Sequence, residues 1–292
     1  MIKDNQTNFL YLADTLPKNH PDFYSSLEKI LKDSKINHAL LPHTRDIWAI
    51  DYMPIQVSTN RFVQFNYNPD YLRNSKKWQK TIPDVDKICD AIGLKRKHSN
   101  IILDGGNVVK TEKSVIMTDK IFTENSGITK GDLLKQLSDL FEVERIIIIP
   151  QDPEDFTGHA DGMVRFIDEK RVFVNNYRPD YLPQFQKKFH NSLFEAGLEV
   201  VNMIYKPDLS SSDSAIGLYI NYLEIGNLLV IPTFGAQDLS NRWNLNEDCA
   251  DDEMAVIMIE NEFPHYQTRV LDCRDIAVHG GVLNCISWKV LK

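Results

Sequence analysis

A stretch of the chain occurs twice, as RFVQFNYNPDYL at 61–72 and as RVFVNNYRPDYL at 171–182. At this offset of 110 residues, Arg, Asn, Tyr, Pro, Asp, Tyr and Leu recur in place. The same offset aligns Asp51 with Asp161, and each aspartate lies just upstream of its copy of the repeat. Equivalent carboxylates of repeated units can converge on one pocket. Internal repetition therefore predicts a fold assembled from similar units.

Five segments have the apolar spacing of threes and fours that is typical of amphipathic helices. They are 21–34, 75–94, 131–142, 179–198 and 251–263. Short apolar strands flank them, which predicts five successive units of strand, strand, helix and strand. Units that cannot bury their apolar faces alone should close around an axis. We therefore predict an α/β propeller of pseudo-fivefold repeats, with one domain spanning 1–292 and an insertion at 232–250.

Two aspartates inside the repeated segment have a structural interpretation. Asp70 and Asp180 each follow a proline where a helical stretch is expected to begin. Acidic side chains stabilise the first turn of a helix. We expect both residues to support helix starts and stability rather than to contact a substrate.

Charge and composition exclude several classes of protein. The 292 residues carry a formal net charge of -8 without a Lys/Arg tract, which argues against a nucleic-acid partner. The apolar run at 146–150 is far too short to span a membrane, and the N-terminus lacks the pattern of a signal peptide. The four cysteines form no CxxC pair and no cluster with zinc spacing. We expect a cytoplasmic protein without metal or cofactor; its oligomeric state is not predicted.

A His-x-Asp pair, His159 and Asp161, places two titratable groups on one face if the segment is extended. Partly apolar neighbours would perturb both groups. A buried structural histidine with an ordinary carboxylate partner is the alternative. The DGGN segment at 104–107 follows an apolar strand, and its glycines permit close approach of the backbone to Asp104 or a ligand. A simple hairpin or bulge is the alternative there.

Cys285 follows a glycine pair in GGVLNCIS, beside a predicted strand. It is a candidate thiolate nucleophile, although a lone cysteine is more often a small buried apolar residue. Cys89 falls within a helical pattern and is predicted to lie in the core. Cys249 and Cys273 lack flanking glycines and are weaker candidates.

Two further residues lie upstream of Asp51. Trp48 could provide a flat wall for a planar cation, or it could be a core residue. Asp46 could assist at the rim, or it could pair with Arg45 or solvent. One cysteine, one histidine and several aspartates on corresponding loops suit a delocalised cation such as guanidinium, whose planar fork of donors matches carboxylates.

The chain resembles the agmatine deiminase and bacterial-type peptidylarginine deiminase family of guanidino-group-modifying enzymes. The resemblance covers nearly the whole chain and rests on motifs in a specific order and spacing. These are DIWAIDYMPI at 46–55, ILDGGN at 102–107, GHADGMVRF at 158–166, IPTFG at 231–235 and GGVLNCIS at 280–287. It implies the pentein fold, a five-bladed α/β propeller.

The resemblance also implies roles for individual positions. It makes Cys285 the nucleophile, His159 the general acid and base, and Asp104 the residue that orients the histidine. It makes Asp51 and Asp161 the guanidinium clamp. Trp48 matches the aromatic wall of the family's WxRD motif.

Two positions depart from the family pattern. Ile50 stands where the family usually has Arg, and Asn284 stands where it usually has His before the nucleophile. The implied activity is hydrolytic deimination of a small cationic guanidine, with agmatine as the first choice and peptidyl- or free arginine as alternatives. An amidinotransferase is a further alternative. The two departures favour a guanidine-binding protein without turnover as another.

Overall fold

The computed structural model describes residues 1–73, 75–208, 211, 213–235 and 250–292. The strands of the described residues are β1 (Phe9–Ala13), β2 (Asn37–Leu41), β3 (Ile55–Ser58), β4 (Arg61–Asn66), β5 (Lys97–Ile102), β6 (Val109–Lys110), β7 (Ser114–Thr118), β8 (Arg145–Ile149), β9 (Val164–Phe166), β10 (Arg171–Asn175), β11 (Glu199–Met203), β12 (Leu223–Ile225), β13 (Leu228–Thr233), β14 (Gln267–Asp272) and β15 (Trp288–Val290). Their helices are α1 (Leu16–Asn19), α2 (Pro21–Asp33), α3 (Ala49–Tyr52), α4 (Asp70–Arg73), α5 (Val85–Ala91), α6 (Lys120–Glu124), α7 (Lys130–Phe141), α8 (Pro183–Glu195), α9 (Ala250–Glu262) and α10 (Arg274–Ala277).

The described strands form five sheets of three strands each, in the orders β15-β1-β2, β3-β4-β5, β6-β7-β8, β9-β10-β11 and β12-β13-β14. In each sheet the central strand pairs antiparallel with one neighbour and parallel with the other. Helices connect the parallel strands, since such a crossover cannot be made by a tight turn. This is the predicted repeat of strand, strand, helix and strand. Each sheet is one blade of a five-bladed α/β propeller.

The first blade joins both ends of the described chain. β15 pairs antiparallel with β1, with Tyr11 opposite Trp288 and Phe9 opposite Val290. β1 then pairs parallel with β2. The C-terminal strand therefore completes the blade that the N-terminal segment begins. The single domain over 1–292 stays a prediction.

The offset of 110 residues corresponds to structural equivalence. Its two copies begin in β4 and β10, which are the central strands of their blades. Buried apolar side chains of β4 and β10 pack into separate core clusters of the molecule. The repeated pattern therefore encodes a central strand whose side chains are buried on both faces.

The predicted helices agree with the structure except in detail. Residues 75–94 form a 3-10 turn at Trp78–Thr81 and then α5, because Pro83 interrupts the helix and Asp84 caps its restart through the Lys87 amide. α8 begins at Pro183, later than the predicted 179. The helix-start role predicted for Asp180 is therefore wrong, whereas Asp70 does begin α4.

The predictions of an insertion and of no membrane span concern parts of the chain that the structure describes only incompletely. Most of the predicted insertion at 232–250 lies outside them, and so does Cys249. Within the described ranges, no helix is long and apolar enough to cross a lipid bilayer.

Candidate active site

A short turn precedes the first strand of each blade, and we call these five segments the leading turns. In the described chain they lie at 49–52, 105–107, 160–162, 219–220 and 283–286. On them or directly beside them lie Asp51, Asp104, His159, Asp161, Asn221 and Cys285. The turns at 49–52, 105–107 and 160–162 contact one another in sequence. Each blade therefore contributes to one site by placing a side chain at the same point of its repeat.

His159 and Asp104 form a buried pair. The two side chains are 5% and 1% exposed, and His159 Nε2 lies 2.9 Å from Asp104 Oδ2. Burial by itself lowers the pKa of His159, but the charges of Asp51 and Asp104 outweigh it and raise that pKa to about 9. Burial likewise opposes ionisation of Asp104, yet its hydrogen bond with His159 and the charge of Lys120 bring its pKa below the usual value. His159 is therefore an imidazolium that donates to a carboxylate at neutral pH.

Asp51 faces the other nitrogen of the same ring. Its Oδ1 lies 3.6 Å from His159 Nδ1 and accepts a hydrogen bond of 3.0 Å from the Gly106 amide. Burial raises the pKa of Asp51 to about 7; the charge of His159 opposes this rise, and Asp104 and Asp161 add to it. At neutral pH this carboxyl group is therefore partly protonated in the free protein.

Asp161 is held by two asparagines. Its Oδ2 accepts hydrogen bonds of 2.7 Å from Asn284 Nδ2 and 3.1 Å from Asn221 Nδ2. Asn221 Oδ1 in turn accepts from the backbone amides of Asn284 and Cys285. Burial raises the pKa of Asp161, although the charge of His159 and the bond from Asn284 act in the opposite direction. Asn221 thereby fixes the Asp161 carboxylate and the loop of Cys285 relative to each other.

Cys285 lies beside Asp161. Its Sγ is 3.7 Å from Asp161 Oδ2, a distance at which a thiol donates a weak hydrogen bond to a carboxylate. Burial, followed by the charges of Asp161 and Asp51, raises the pKa of the Cys285 thiol well above its usual value. Cys285 is therefore a thiol in the free protein. A thiolate would form there when a positive charge enters.

A cavity of about 1220 Å³ opens onto this cluster. The predicted site residues that line it are Trp48, Asp46, Asp51, His159, Asp161 and Cys285. Asp104 is absent from the cavity wall and lies behind His159. Asp46 accepts a 2.7 Å hydrogen bond from the Ile47 amide, which steadies the loop that carries Trp48.

Close approach explains the glycines of the DGGN and GGVLNC motifs. A Cβ at Gly106 would lie 2.6 Å from Asp51 Oδ1 and 2.6 Å from His159 Nδ1, and one at Gly105 would lie 1.9 Å from a backbone oxygen. A Cβ at Gly281 would lie 2.5 Å from the Trp48 ring and 3.0 Å from the Cβ of Cys285. The glycines thus make room for the Asp51 carboxylate, the His159 imidazole and the Trp48 ring.

We expect Gly106→Ala to reduce kcat/KM for the deimination predicted from the sequence by roughly tenfold or more. The added methyl group would displace Asp51 or His159, and misplacement of reacting groups by even 1 Å is costly. Steady-state ammonia release measures the effect. Gly127→Ala is the matched control, because a Cβ at Gly127 meets nothing within 4 Å. Full activity of Gly106→Ala would contradict this account of the glycine.

The two departures from the family pattern have different surroundings. Ile50 donates its backbone amide to the Cys285 carbonyl and lies outside the main cavity. Asn284 bonds Asp161 on one side, and its Oδ1 accepts from Arg165 at 2.9 Å and Lys289 at 2.6 Å. An amide suits this position, since it donates to the carboxylate while it accepts from two cations.

The other described cysteines are buried. Cys89 lies on α5 and packs into a hydrophobic core of the protein, as predicted, and burial raises the pKa of its thiol to about 12. Cys273 is also fully buried, and burial raises the pKa of its thiol well above the usual value.

Sequence reasoning missed several residues of the site. Asn221 directly follows the leading turn of the β12-β13-β14 blade, so the repeat itself was the signal that could have found it. Tyr71, in the first copy of the repeat, packs its ring 5.9 Å from the imidazole of His159. Lys120 bonds Asp104 across 16 residues of sequence, and no motif marks it.

Comparison with known proteins identifies the family and the fold of the chain. A model of the Porphyromonas-type peptidyl-arginine deiminase family matches residues 13–290. The C. jejuni agmatine deiminase superposes with a TM-score of 0.78 at 19% identity, over 100% of this chain and 95% of that one. The agmatine deiminase of Enterococcus faecalis gives 0.75 at 15% identity, over 99% and 94%. DDAH from Pseudomonas aeruginosa gives 0.56 at 8% identity, over 97% and 99%. These likenesses confirm the predicted pentein fold.

Proposed function

We propose a specific reaction for this chain, which belongs to the Porphyromonas-type peptidyl-arginine deiminase family. Its members are hydrolases that act on carbon–nitrogen bonds of linear amidines, and this chain deiminates a guanidino group. The proposed substrate is agmatine, and the proposed products are N-carbamoylputrescine and ammonia. The proposed path runs through a covalent intermediate on Cys285.

One observation carries the proposal. A thiol, an imidazolium and two carboxylates surround the end of a single cavity, with Asp161 Oδ2 3.7 Å from Cys285 Sγ and Asp51 Oδ1 3.6 Å from His159 Nδ1. The carboxylates match the donor fork of a guanidinium. The neighbouring thiol would then face its central carbon.

The first half of the proposed reaction forms the covalent bond. Guanidinium binds between Asp51 and Asp161, and its charge lowers the pKa of the Cys285 thiol, which loses its proton to solvent. The thiolate attacks the central carbon. His159 protonates the departing nitrogen, which leaves as ammonia. The product of this half is an amidino-thioether cation.

The second half releases the product. Neutral His159 accepts a proton from a water molecule that attacks the same carbon. The carbon–sulfur bond then breaks, the proton of the new hydroxyl group passes to the departing sulfur, and Cys285 is again a thiol. The ureido product departs, and His159 is again an imidazolium. Asp104, which does not line the cavity, holds the ring at Nε2 and leaves Nδ1 toward Asp51.

The cavity wall supports a substrate with a second positive charge. Besides the clamp, its described acidic lining residues are Asp46, Asp152, Glu154, Asp155, Asp208 and Asp213, against the arginines Arg45 and Arg178. A predominantly acidic wall attracts the ammonium group of agmatine and repels the α-carboxylate of free arginine. The charge balance therefore favours agmatine over the amino acid.

A substrate panel tests the proposal. Agmatine, arginine, a peptidyl-arginine and methylated arginines are each assayed for ammonia and for the ureido product. We expect agmatine to give the highest kcat/KM and equal amounts of both products. Acceleration of substrate loss by an added amine, without equivalent ammonia, would instead identify an amidinotransferase. Saturable binding of every guanidine without ammonia would overturn the proposal.

The affinity for the guanidinium group should increase with pH through about 7. Binding of a cation requires the ionised form of Asp51, whose pKa in the free protein is about 7. Below that pH a proton must leave on binding, so affinity should fall by up to about tenfold per pH unit. Above it, Asp51 is already ionised and the curve should flatten. Calorimetric titration of agmatine into the Cys285→Ala variant, in buffers of different ionisation enthalpy, measures both affinity and proton release.

The control is the double variant that carries both Cys285→Ala and Asp51→Asn. It lacks the titrating group, so the step near pH 7 should disappear with it. A step of unchanged size would assign the released proton to another group.

A further inference from the structure

Lys120 is buried at the start of α6 with its charge directed toward the catalytic pair. Its side chain is 3% exposed. Nζ donates a 3.0 Å hydrogen bond to Asp104 Oδ2 and one of 2.7 Å to the Thr157 carbonyl. Asp104 and Thr157 belong to the two loops that carry the pair Asp104 and His159. One ammonium group therefore binds both loops at once.

The residue two positions before Lys120 holds the same two loops. The Thr118 amide donates to Asn107 Oδ1 at 2.8 Å, and the Thr118 hydroxyl donates to the Gly158 carbonyl at 2.7 Å. Gly158 has φ +65, and a Cβ there would lie 3.4 Å from the Lys120 side chain. The end of β7 and the start of α6 thus form a fixed platform, on which Lys120 is the charged group.

The surroundings of the ammonium group are acidic and aromatic. Nζ lies 3.4 Å from Asp70 and 3.7 Å from Glu124, and it sits 4.5 Å from the centre of the Tyr71 ring. Burial would lower the pKa of Lys120, but Asp104 and then Glu124 raise it above its usual value. Lys120 is therefore charged at neutral pH.

We propose that Lys120 is a positioning residue for the deimination reaction, which fixes Asp104 against His159 and limits how tightly the imidazolium holds its proton. This inference rests on the proposed function. Asp51 and Asp104 favour the protonated ring, and the charge of Lys120 opposes them. The imidazolium must give its proton to the departing nitrogen, and the neutral ring must later take one from water, so a proton held too tightly slows the first half of the reaction. Lys120 does not line the cavity, so it acts through Asp104 and not on the substrate itself.

Loss of the charge should change turnover more than substrate binding. We expect Lys120→Met and Lys120→Gln to lower kcat by roughly tenfold or more while KM changes by less than about threefold. Lys120→Arg retains the charge and should recover part of the loss. Lys113→Met is the matched control, because it removes a lysine charge whose partner is Glu144, outside the site.

A titration of the His159 ring tests the proposal independently of turnover. The imidazole resonance of His159, assigned by its loss in His159→Gln, is followed against pH by NMR in the free protein. Both charge-removing variants should move its midpoint upward by about half a pH unit or more relative to wild type and to Lys113→Met. Lys120→Gln keeps a donor for Thr157, so it serves if Lys120→Met does not fold.

The outcomes separate the two proposals. An upward midpoint in the variants supports the role of Lys120 even if no guanidine yields ammonia, a result that would overturn only the proposed function. An unchanged His159 midpoint in a folded charge-removing variant overturns the positioning role, whatever happens to the melting temperature.

Discussion

Replacement of Cys285 by alanine is expected to reduce ammonia release by at least about a thousandfold while the melting temperature changes little. The proposed path requires a bond between sulfur and the central carbon, and no water molecule attacks guanidinium comparably in its place. Cys285 lies on a leading turn at the cavity, so its truncation removes few core contacts. Steady-state and single-turnover ammonia assays, with thermal melts alongside, measure the effect.

Cys89→Ser is the control for this prediction. Cys89 lies on α5 in a hydrophobic core of the protein, so its substitution should lower the melting temperature more than it lowers turnover. An amidine reagent with a leaving group should label Cys285, and an agmatine analogue should protect it. Full activity of Cys285→Ala would discard the covalent path, and labelling of Cys89 in its place would relocate the site.

Much of the fold could be predicted because each repeated unit has a local sequence pattern of its own. Amphipathic spacing marked the helices, and the recurrence at offset 110 identified β4 and β10 as equivalent strands. The placement of Asp51 and Asp161 on leading turns followed from the same offset. The DGGN motif predicts a close approach of the backbone, and the clearances at Gly105 and Gly106 confirm it.

The contacts that surround the site join residues far apart in the sequence, and no local sequence pattern records them. Lys120 reaches Asp104 from another element, and Asn284 binds Arg165 across 119 residues of sequence. Asp4, near the N-terminus, accepts from Arg165 across 161 residues. A lysine in a helical pattern reads as a solvated charge until its neighbours are known. The chemistry of the site was therefore accessible from motifs, whereas the groups that tune it were not.

Asp51 and Asp161 occupy equivalent positions of the repeat but have different hydrogen-bond partners. Asp51 accepts a hydrogen bond from the Gly106 amide and faces His159. Asp161 accepts from Asn221 and Asn284 and faces Cys285. The backbone repeat places both carboxylates at the cavity, and neighbouring blades supply different partners. Because the two carboxylates lie at equivalent positions of the cavity, we expect both to contact the same cation. Because their partners differ, we expect their substitutions to affect His159 and Cys285 differently.

Asp51→Asn and Asp161→Asn should each lower kcat/KM by about tenfold to a few hundredfold. Asparagine keeps the shape of the side chain but removes the charge that faces the guanidinium. A charged hydrogen-bond partner left unmatched in a water-poor site costs about 1.5–3 kcal/mol, which converts to that range of rates. Because both carboxylates would bind one cation, the two losses should be of similar order. Steady-state ammonia release over a range of agmatine concentrations gives the values.

Asp180→Asn is the matched control for the clamp, because it makes the same change in the repeated segment at an exposed position. The Asp180 side chain is 78% exposed and its partner is Arg178. Asp70→Asn is informative in a different way, since Asp70 lies 3.4 Å from Lys120 Nζ and should alter turnover modestly through that contact. A loss at Asp180 that equals those at Asp51 and Asp161, with unchanged melting temperatures, would show that a different face of the repeat meets the substrate.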